Sequence, residues 1–257
     1  MTQCLMKKSR IIIAYILSLI SIFILWIVLS KLINASLILP GPAAVFKAMG
    51  ALFKNPAFFR AFGWTFGRVL LSFAISVAAG ILLGVLCGLS EFAHHFFELP
   101  LAVIRATPVV AFILIALFWF KSGTVPVFVS VLMTLPIMTT AVANGFYKSE
   151  QKLLAMAQTF NFTKRQIFRY IQLPSLVPFL LNGMVSTFGL TWKVITAGEV
   201  LSLPKNAAGT MLQRAQVHLE TPTVIAITII LVTVSFILEK LFMLAVKKIT
   251  HAQRGRE

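Results

Sequence analysis

Six long apolar stretches dominate this sequence and constrain its fold more than any other feature. Polar intervals separate them, and they lie at about residues 11–33, 64–89, 99–120, 124–143, 173–199 and 222–246. Each reaches or approaches the roughly 20 residues that an α-helix needs to cross a bilayer. Because hydrocarbon offers no water to backbone groups, such segments must be helical. The pattern predicts an all-α membrane protein with six transmembrane helices, in which residues 1–257 form a single transmembrane domain.

The composition excludes a water-soluble fold. Hydrophobic residues make up 59% of the chain and charged residues only 12%, whereas soluble domains carry about a quarter charged residues. The net charge of +16 is also found in proteins that bind nucleic acid. Here, however, the basic residues flank the apolar runs and form no single patch. We therefore expect membrane lipid as the surrounding medium and no nucleic-acid partner.

The positive charges also predict the orientation, since cytoplasmic loops are enriched in Lys and Arg. With a cytoplasmic N-terminus, twelve basic residues fall in inner segments: Lys7, Lys8, Arg10, Lys148, Lys152, Lys164, Arg165, Arg169, Lys247, Lys248, Arg254 and Arg256. Seven fall in outer segments: Lys31, Lys47, Lys54, Arg60, Lys121, Lys205 and Arg214. The first apolar run is too long for a cleaved signal, so it is expected to be retained. The sequence predicts a multi-pass protein of the bacterial inner membrane with both termini cytoplasmic.

The second apolar run carries a stripe of small residues. They recur every four positions and therefore share one helix face: Ser72, Ser76, Gly80, Gly84 and Gly88. Small residues let membrane helices approach closely. The stripe therefore predicts close helix packing, either within the chain or across a dimer seam.

The interval 149–174 predicts a helix–turn–helix at the cytoplasmic face. Asn161 stands where a residue tolerant of the left-handed conformation would end the first helix. Thr163 then caps a second short helix over Lys164–Ile171, and Leu173-Pro174 opens the next span. The alternative is an interfacial amphipathic helix whose basic residues lie among lipid headgroups.

This interval resembles the cytoplasmic EAA loop of ABC-importer permeases. Five residues match the loop's spacing: Ala157, Asn161, Ile171, Leu173 and Pro174. The chain departs from the pattern at Ala155, where the family has Glu, and at Met156, where it has Ala. Asn161 also replaces the family's Gly, and Asn is the best non-Gly residue for that turn. The resemblance implies contact with an ATP-binding subunit, for which we expect Met156, Phe160 and Phe162 as apolar anchors.

Four further segments extend the resemblance to nearly the whole chain. In order, they are Leu39-Pro40-Gly41-Pro42, Arg68-Val69-Leu70-Leu71, Arg105 with Thr107-Pro108, and Ala197-Gly198-Glu199. Together they are most similar to permeases of the nitrate, sulfonate and taurine type. The resemblance implies a type I ABC importer permease fold, a pair of permease subunits, two cytoplasmic ATP-binding subunits and an extracytoplasmic solute-binding protein. It also implies no enzymatic activity and no cofactor in this chain. The sequence has no Gly-rich phosphate loop, so ATP is expected to bind to the partner subunit.

Lys193 is an ionisable residue inside the fifth apolar run, and such residues tend to be functional. It follows Thr191 and Trp192 and precedes Glu199 by six positions, which places the two charges about 120° apart around a helix. Lys193 therefore needs water, a residue on another helix, or a solute. Pairing with Glu199 of another subunit or with a backbone carbonyl, snorkelling to the surface, and a role in a translocation pathway all remain open. If the pathway interpretation holds, the residues that line the translocation pathway are Thr191, Trp192, Lys193 and Glu199.

Two other classes of function compete with an ATP-driven permease. One is a secondary transporter or channel driven by an ion gradient, although the chain shows no internal repeat typical of such proteins. The other is a membrane scaffold, which the polar residues of the fifth run disfavour. The four histidines have no ligand spacing, so no metal site is predicted. The solute itself is not readable from the sequence: nitrate, sulfonates, taurine, and vitamin precursors such as pyrimidines or riboflavin all remain open.

Overall fold

The computed structural model describes residues 2–147, 156–157 and 159–254. Its helices are α1 (Thr2–Ile33), α2 (Pro42–Lys54), α3 (Pro56–Leu89), α4 (Glu91–Ala106), α5 (Val109–Trp119), α6 (Val125–Tyr147), α7 (Lys164–Ile167), α8 (Leu173–Ser202), α9 (Ala208–Val217) and α10 (Thr221–Arg254). A turn of π-helix, Phe168–Gln172, joins α7 to α8. No strand occurs in the described ranges, and the all-α prediction is confirmed.

Five segments of the described chain are long and apolar enough to cross a membrane. They are Ala14–Ile33, Pro56–Leu89, Val125–Tyr147, Arg165–Ser202 and Thr221–Val246. The pair α4 and α5 passes the same test when taken together, which gives up to six spans. Five of the six predicted spans are thus single continuous helices, and the third, predicted over 99–120, is broken.

The prediction of one helix over 99–120 is wrong. The helical axis bends by 100° between α4 and α5, and the break falls at Thr107-Pro108. Proline pushes the preceding residue out of the helical region, and Thr107 is extended, with φ −78° and ψ 130°. The hydroxyl of Thr107 donates to the carbonyl of Val103 at 2.8 Å, which helps to end α4. A turn joins α5 to α6, since the amide of Thr124 donates to the carbonyl of Lys121 at 2.8 Å.

The polar interval 34–63 contains more helix than the hydropathy suggests. It holds all of α2 and the first two turns of α3, because a proline opens each helix at a position where its missing N–H costs nothing. The Oδ1 atom of Asn55 accepts from the amide of Ala57 at 2.9 Å, capping the start of α3.

The chain divides into two compact units. One comprises the residues up to Phe58 together with Leu212–Ile230. Within it, side chains of α1 hold the segment that follows α1 by hydrogen bonds to its backbone. The indole of Trp26 donates to the carbonyl of Pro40 at 3.1 Å, and the hydroxyl of Ser30 donates to the carbonyl of Leu39 at 3.2 Å. Thr221 donates likewise to Leu37 at 2.7 Å.

The second unit comprises Phe59–Met211 and the residues from Leu231 onward. Two apolar clusters form its core, and residues of α6 and α8 contribute to both. The first contains Ile113, Ala116, Val125, Val129 and Val194. The second contains Met138, Val142, Phe146 and Leu176. Together they position α8, whose remaining faces carry the candidate site.

Candidate functional site

One face of α8 is polar and exposed along the span. Asn182, Ser186 and Lys193 are all exposed, and their spacing places them within about 40° of one another around the helix axis. Their immediate neighbours Gly183, Thr187 and Val194 are buried. The helix therefore presents one narrow polar strip, which we call the α8 strip and which consists of Asn182, Ser186 and Lys193.

The residues that directly precede Lys193 point into the protein. Trp192 is only 2% exposed, and its ring lies 6.2 Å from that of Phe62 and 6.1 Å from that of Phe66. Thr191 is fully buried and donates to the carbonyl of Thr187 at 2.8 Å. The structure thus brings Lys193 to the surface and places Thr191 and Trp192 in the core.

Glu199 is also inside the chain, where three groups bind its carboxylate. Arg68 Nη1 donates to Oε1 at 2.8 Å, and the hydroxyl of Thr65 lies 2.8 Å from Oε2. The amide of Gly209 donates to Oε2 at 3.1 Å. Glu199 is 0% exposed, so its charge is neutralised by Arg68 of the same chain and is not available to Lys193.

The same cluster fastens the connection between α8 and α9. The Thr65 hydroxyl accepts from the amide of Ala208 at 2.9 Å. The Arg68 guanidinium reaches the carbonyls of Lys205 and Asn206 at 3.4 Å each. Sequence reasoning missed this cluster, although Thr65 and Arg68 are three apart on one face of an apolar run that approaches a glutamate near the same membrane surface.

The small-residue stripe of α3 packs within the chain against α6. A Cβ atom on Gly80 would lie 2.5 Å from Met138 Cβ, and one on Gly84 would lie 2.5 Å from Val142 Cβ. Gly88 faces Phe146 in the same way. The remaining members of the stripe, Ser72 and Ser76, are fully buried. The hydroxyl of Ser76 lies 2.7 Å from that of Thr134 on α6, so the stripe closes an intrachain helix pair.

Asn161 adopts the left-handed conformation that the sequence predicts, with φ 53°. The amide of Phe162 donates to the carbonyl of Ala157 at 2.9 Å. This hydrogen bond runs from residue i to residue i−5. Together with the left-handed Asn161, it forms the Schellman motif that ends a helix. Ala155, a predicted contact residue, lies outside the described residues.

A capping box starts the second short helix. The Thr163 amide donates to Gln166 Oε1 at 2.8 Å, and the Gln166 amide donates to the Thr163 hydroxyl at 3.4 Å. The pattern Thr-x-x-Gln is readable from the sequence. Thr163 was predicted as the cap, but Gln166 was not identified as its reciprocal partner. The predicted helix over Lys164–Ile171 is α-helical only to Ile167 and then becomes the π-turn.

Apolar side chains project from the segment between α6 and α8. Met156 is 52% exposed, Phe160 68% and Phe162 41%. Ala157 is buried, Ile171 is half-buried, and Leu173 and Pro174 are exposed. At the π-turn, the ring of Phe168 stacks on that of Phe146 with centroids 6.2 Å apart. The segment is thus anchored to the core at one end and presents unpaired apolar surface at the other.

No cluster of three or more His, Cys, Asp or Glu residues with metal-binding geometry occurs among the described residues. The nearest candidate is a pair: His95 Nδ1 lies 3.2 Å from Glu98 Oε2. Both side chains are more than half exposed, so the pair forms no enclosed site.

A family model matches residues 80–251 of this chain, and its description is binding-protein-dependent transport system inner membrane component. The match runs from the second half of α3 through the segment between α6 and α8, and then through α8 into α10. The chain belongs to this family. It is a membrane permease component of an ABC transport system, a class that works with ATP-binding and substrate-binding partners.

Named relatives of this inner membrane component are transport permeases. The taurine transport system permease protein TauC of Escherichia coli (strain K12) is 24% identical over 221 residues, with 83% of this chain and 80% of TauC covered. The nitrate import permease protein NrtB of Synechocystis sp. (strain ATCC 27184 / PCC 6803 / Kazusa) is 29% identical over 177 residues, with 63% of each chain covered.

Two solved structures share the fold. One shows inward-facing conformations of the MetNI methionine ABC transporter, with a TM-score of 0.63, 16% identity, and 76% of this chain and 95% of that chain covered. The other is an amino acid ABC transporter with histidines, with a TM-score of 0.65, 16% identity, and coverage of 79% and 97%. The resemblance to type I ABC importer permeases is therefore confirmed at the level of fold.

Proposed function

We propose that this permease forms the pathway for a small solute that carries an oxyanion group, in an ABC importer powered by ATP-binding partner subunits. The observation that carries the proposal is the exposed ammonium group of Lys193 at the outer end of the α8 strip. In this proposal the chain holds no cofactor of its own. An extracytoplasmic solute-binding protein delivers the solute, and ATP is bound and hydrolysed by the cytoplasmic partners.

The α8 strip is incompatible with a lipid-facing surface. A lysine near the middle of a span costs about 3 kcal/mol or more in hydrocarbon, and Asn182 adds an unsatisfied amide. Such a face is stable only against water or a second subunit. In a water-filled cavity with low-dielectric walls, the Lys193 charge attracts anions strongly. Asn182 and Ser186 supply further hydrogen-bond donors along the same line.

The relatives support an oxyanion as the shared chemistry. Taurine ends in a sulfonate and nitrate is itself an oxyanion, and these are the solutes that the names of two related permeases state. Both groups are singly charged and accept several hydrogen bonds. A lysine with nearby amide and hydroxyl donors matches that chemistry better than it matches a cation or a neutral sugar.

We further propose that two copies of this chain pair with their α8 strips facing a shared cavity. A twofold axis would bring both Lys193 residues to the same cavity, in a self-complementary arrangement typical of homodimers. Native mass spectrometry of the purified transporter tests this directly. Two copies per complex are expected, whereas one copy paired with a different permease would contradict the homodimer.

The cytoplasmic segment is proposed to dock on the ATP-binding subunit. Met156, Phe160 and Phe162 project from a charged loop, and exposed apolar groups of this kind mark interaction sites. Phe168 then connects the docked segment to the core through Phe146. Single π-turns within helices are frequent at functional sites, and the Phe168–Gln172 turn lies between the docked segment and α8.

The proposed orientation places both termini in the cytoplasm and predicts the outcome of cysteine labelling. In a background without Cys4 and Cys87, a cysteine at Lys54 should react with an impermeant reagent added outside cells. A cysteine at Lys164 should react only after the inner face is exposed. The reverse pattern would invert the topology and would place the docking segment away from ATP.

A further inference from the structure

A second charged group, Glu239 of α10, lies inside a membrane span and packs directly on α8. A Cβ atom built on Gly189 would meet Glu239 Oε2 at 3.1 Å, Cδ at 3.2 Å and Oε1 at 3.3 Å. All three nearest atoms belong to the carboxylate, so it rests on the glycine backbone. A larger residue at position 189 would displace it. Gly189 itself is buried, whereas Glu239 is half-buried.

This carboxylate has no ionic partner in the part of the chain that the structure describes. The ion pairs found there are Arg68 with Glu199 and His95 with Glu98. An intramembrane carboxylate is costly unless it faces a cavity or a countercharge. The adjacent Lys240 does not serve, because its ammonium lies over the Phe236 ring at 5.4 Å.

Lys193 lies one helical turn beyond the carboxylate on the same side of α8. Residues four apart share a helix face with Cβ atoms about 6 Å apart, which relates Lys193 to Gly189 and hence to Glu239. Helical side chains lean toward the N-terminus of their helix, and for Lys193 that direction leads toward Gly189. A lysine side chain is about 6 Å long from Cα to Nζ, so its ammonium can swing onto the Glu239 carboxylate.

We propose that Glu239 is the internal countercharge of Lys193: the two pair when the pathway holds no solute, and an anionic solute displaces the carboxylate when it binds. This inference rests on the proposed function, since it assumes that Lys193 meets the solute. In the structure Lys193 is exposed and the carboxylate rests on Gly189, so pairing requires the lysine side chain to swing toward α10. Glu239 then sets how tightly the pathway holds its anion, because the solute must compete with it.

The test measures ATP-dependent uptake in vesicles that contain the complete transporter, with taurine and nitrate as separate probes. The quantity compared is the solute concentration that gives half-maximal uptake. Glu239→Gln removes the competitor and should lower that concentration about tenfold, at the low end of the coupling seen for close charge pairs. In a Lys193→Gln background, Glu239→Gln should have no further effect. Glu98→Gln is the matched control, since Glu98 is 62% exposed, and it should change nothing.

The outcomes separate this inference from the proposed function. If Lys193→Gln reduces uptake but Glu239→Gln leaves half-saturation unchanged, the countercharge is overturned and the anion pathway stands. If Lys193→Gln transports like the native protein, the proposed function falls as well. Should Glu239→Gln fail to assemble, Glu239→Asp keeps the charge on a shorter side chain and should give a shift in the same direction but smaller. An unchanged half-saturation in an assembled Glu239→Asp transporter would then overturn the inference.

Discussion

Replacing Lys193 by glutamine should reduce uptake of an oxyanion solute at least tenfold while the transporter remains assembled. Glutamine retains much of the side-chain volume but removes the charge. Loss of one close charge interaction in a cavity with low-dielectric walls corresponds to about 1.5 kcal/mol or more, and about 1.4 kcal/mol is a factor of ten. The measurement is initial uptake in reconstituted vesicles, with basal ATP hydrolysis recorded in parallel. Lys193→Arg should keep part of the activity, because the positive charge remains but the compact ammonium group is replaced by a planar guanidinium.

Lys121→Gln provides the matched control for this experiment. Lys121 is also exposed, but it lies in the turn before α6 and outside the α8 strip, so its uptake should equal that of the native chain. A native rate for Lys193→Gln would contradict the pathway role. If Lys193→Gln abolishes uptake only because the transporter no longer assembles, the role of Lys193 is structural.

Arg68→Met should cause the largest loss of stability of any single change discussed. It leaves the carboxylate of Glu199 buried at 0% exposure without its cation. Breaking a buried ion pair by removing one partner costs about 3–5 kcal/mol. The connection between α8 and α9 would lose an anchor too, because Arg68 also bonds the carbonyls of Lys205 and Asn206. Thermal unfolding of the purified chain in detergent should shift down by several degrees or more.

Two variants show whether the effect is specific to the pair. Arg68→Met combined with Glu199→Leu should recover part of the loss, because no buried charge is left unpaired. His95→Gln breaks the exposed pair with Glu98 and should have almost no effect, since exposed pairs contribute little. An unfolding temperature for Arg68→Met equal to the native value would contradict the account of this cluster.

The sequence predicts those features that depend on local chemistry. Five spans follow from apolar length, because the bilayer sets one thickness for every crossing. The left-handed Asn161 follows because few residues other than Gly and Asn tolerate a positive φ. The turn at 121–123 follows from a short polar break between two apolar runs.

Features that depend on which helices meet were not predictable. The break at Thr107-Pro108 was hidden because hydropathy is insensitive to a proline within an apolar run. Arg68 and Glu199 are 131 positions apart, and each alone resembles an ordinary charge near a membrane surface. Glu239 was not identified for a related reason. An acidic residue near the end of an apolar run becomes informative only when the structure shows that its carboxylate packs on Gly189.

Asn161 offers the most direct test of whether ATP hydrolysis by the partner subunits drives movement of a solute through this chain. Asn161→Val should strain the φ of 53°, because β-branched residues resist positive φ, whereas Asn161→Gly should be tolerated. The measurement is solute imported per ATP hydrolysed, in vesicles that contain the chain, its ATP-binding partners and the solute-binding protein. We predict native coupling for Asn161→Gly, and for Asn161→Val hydrolysis that continues with little import. Uptake that needs no ATP and follows an ion gradient, or native coupling in an assembled Asn161→Val transporter, would contradict the account.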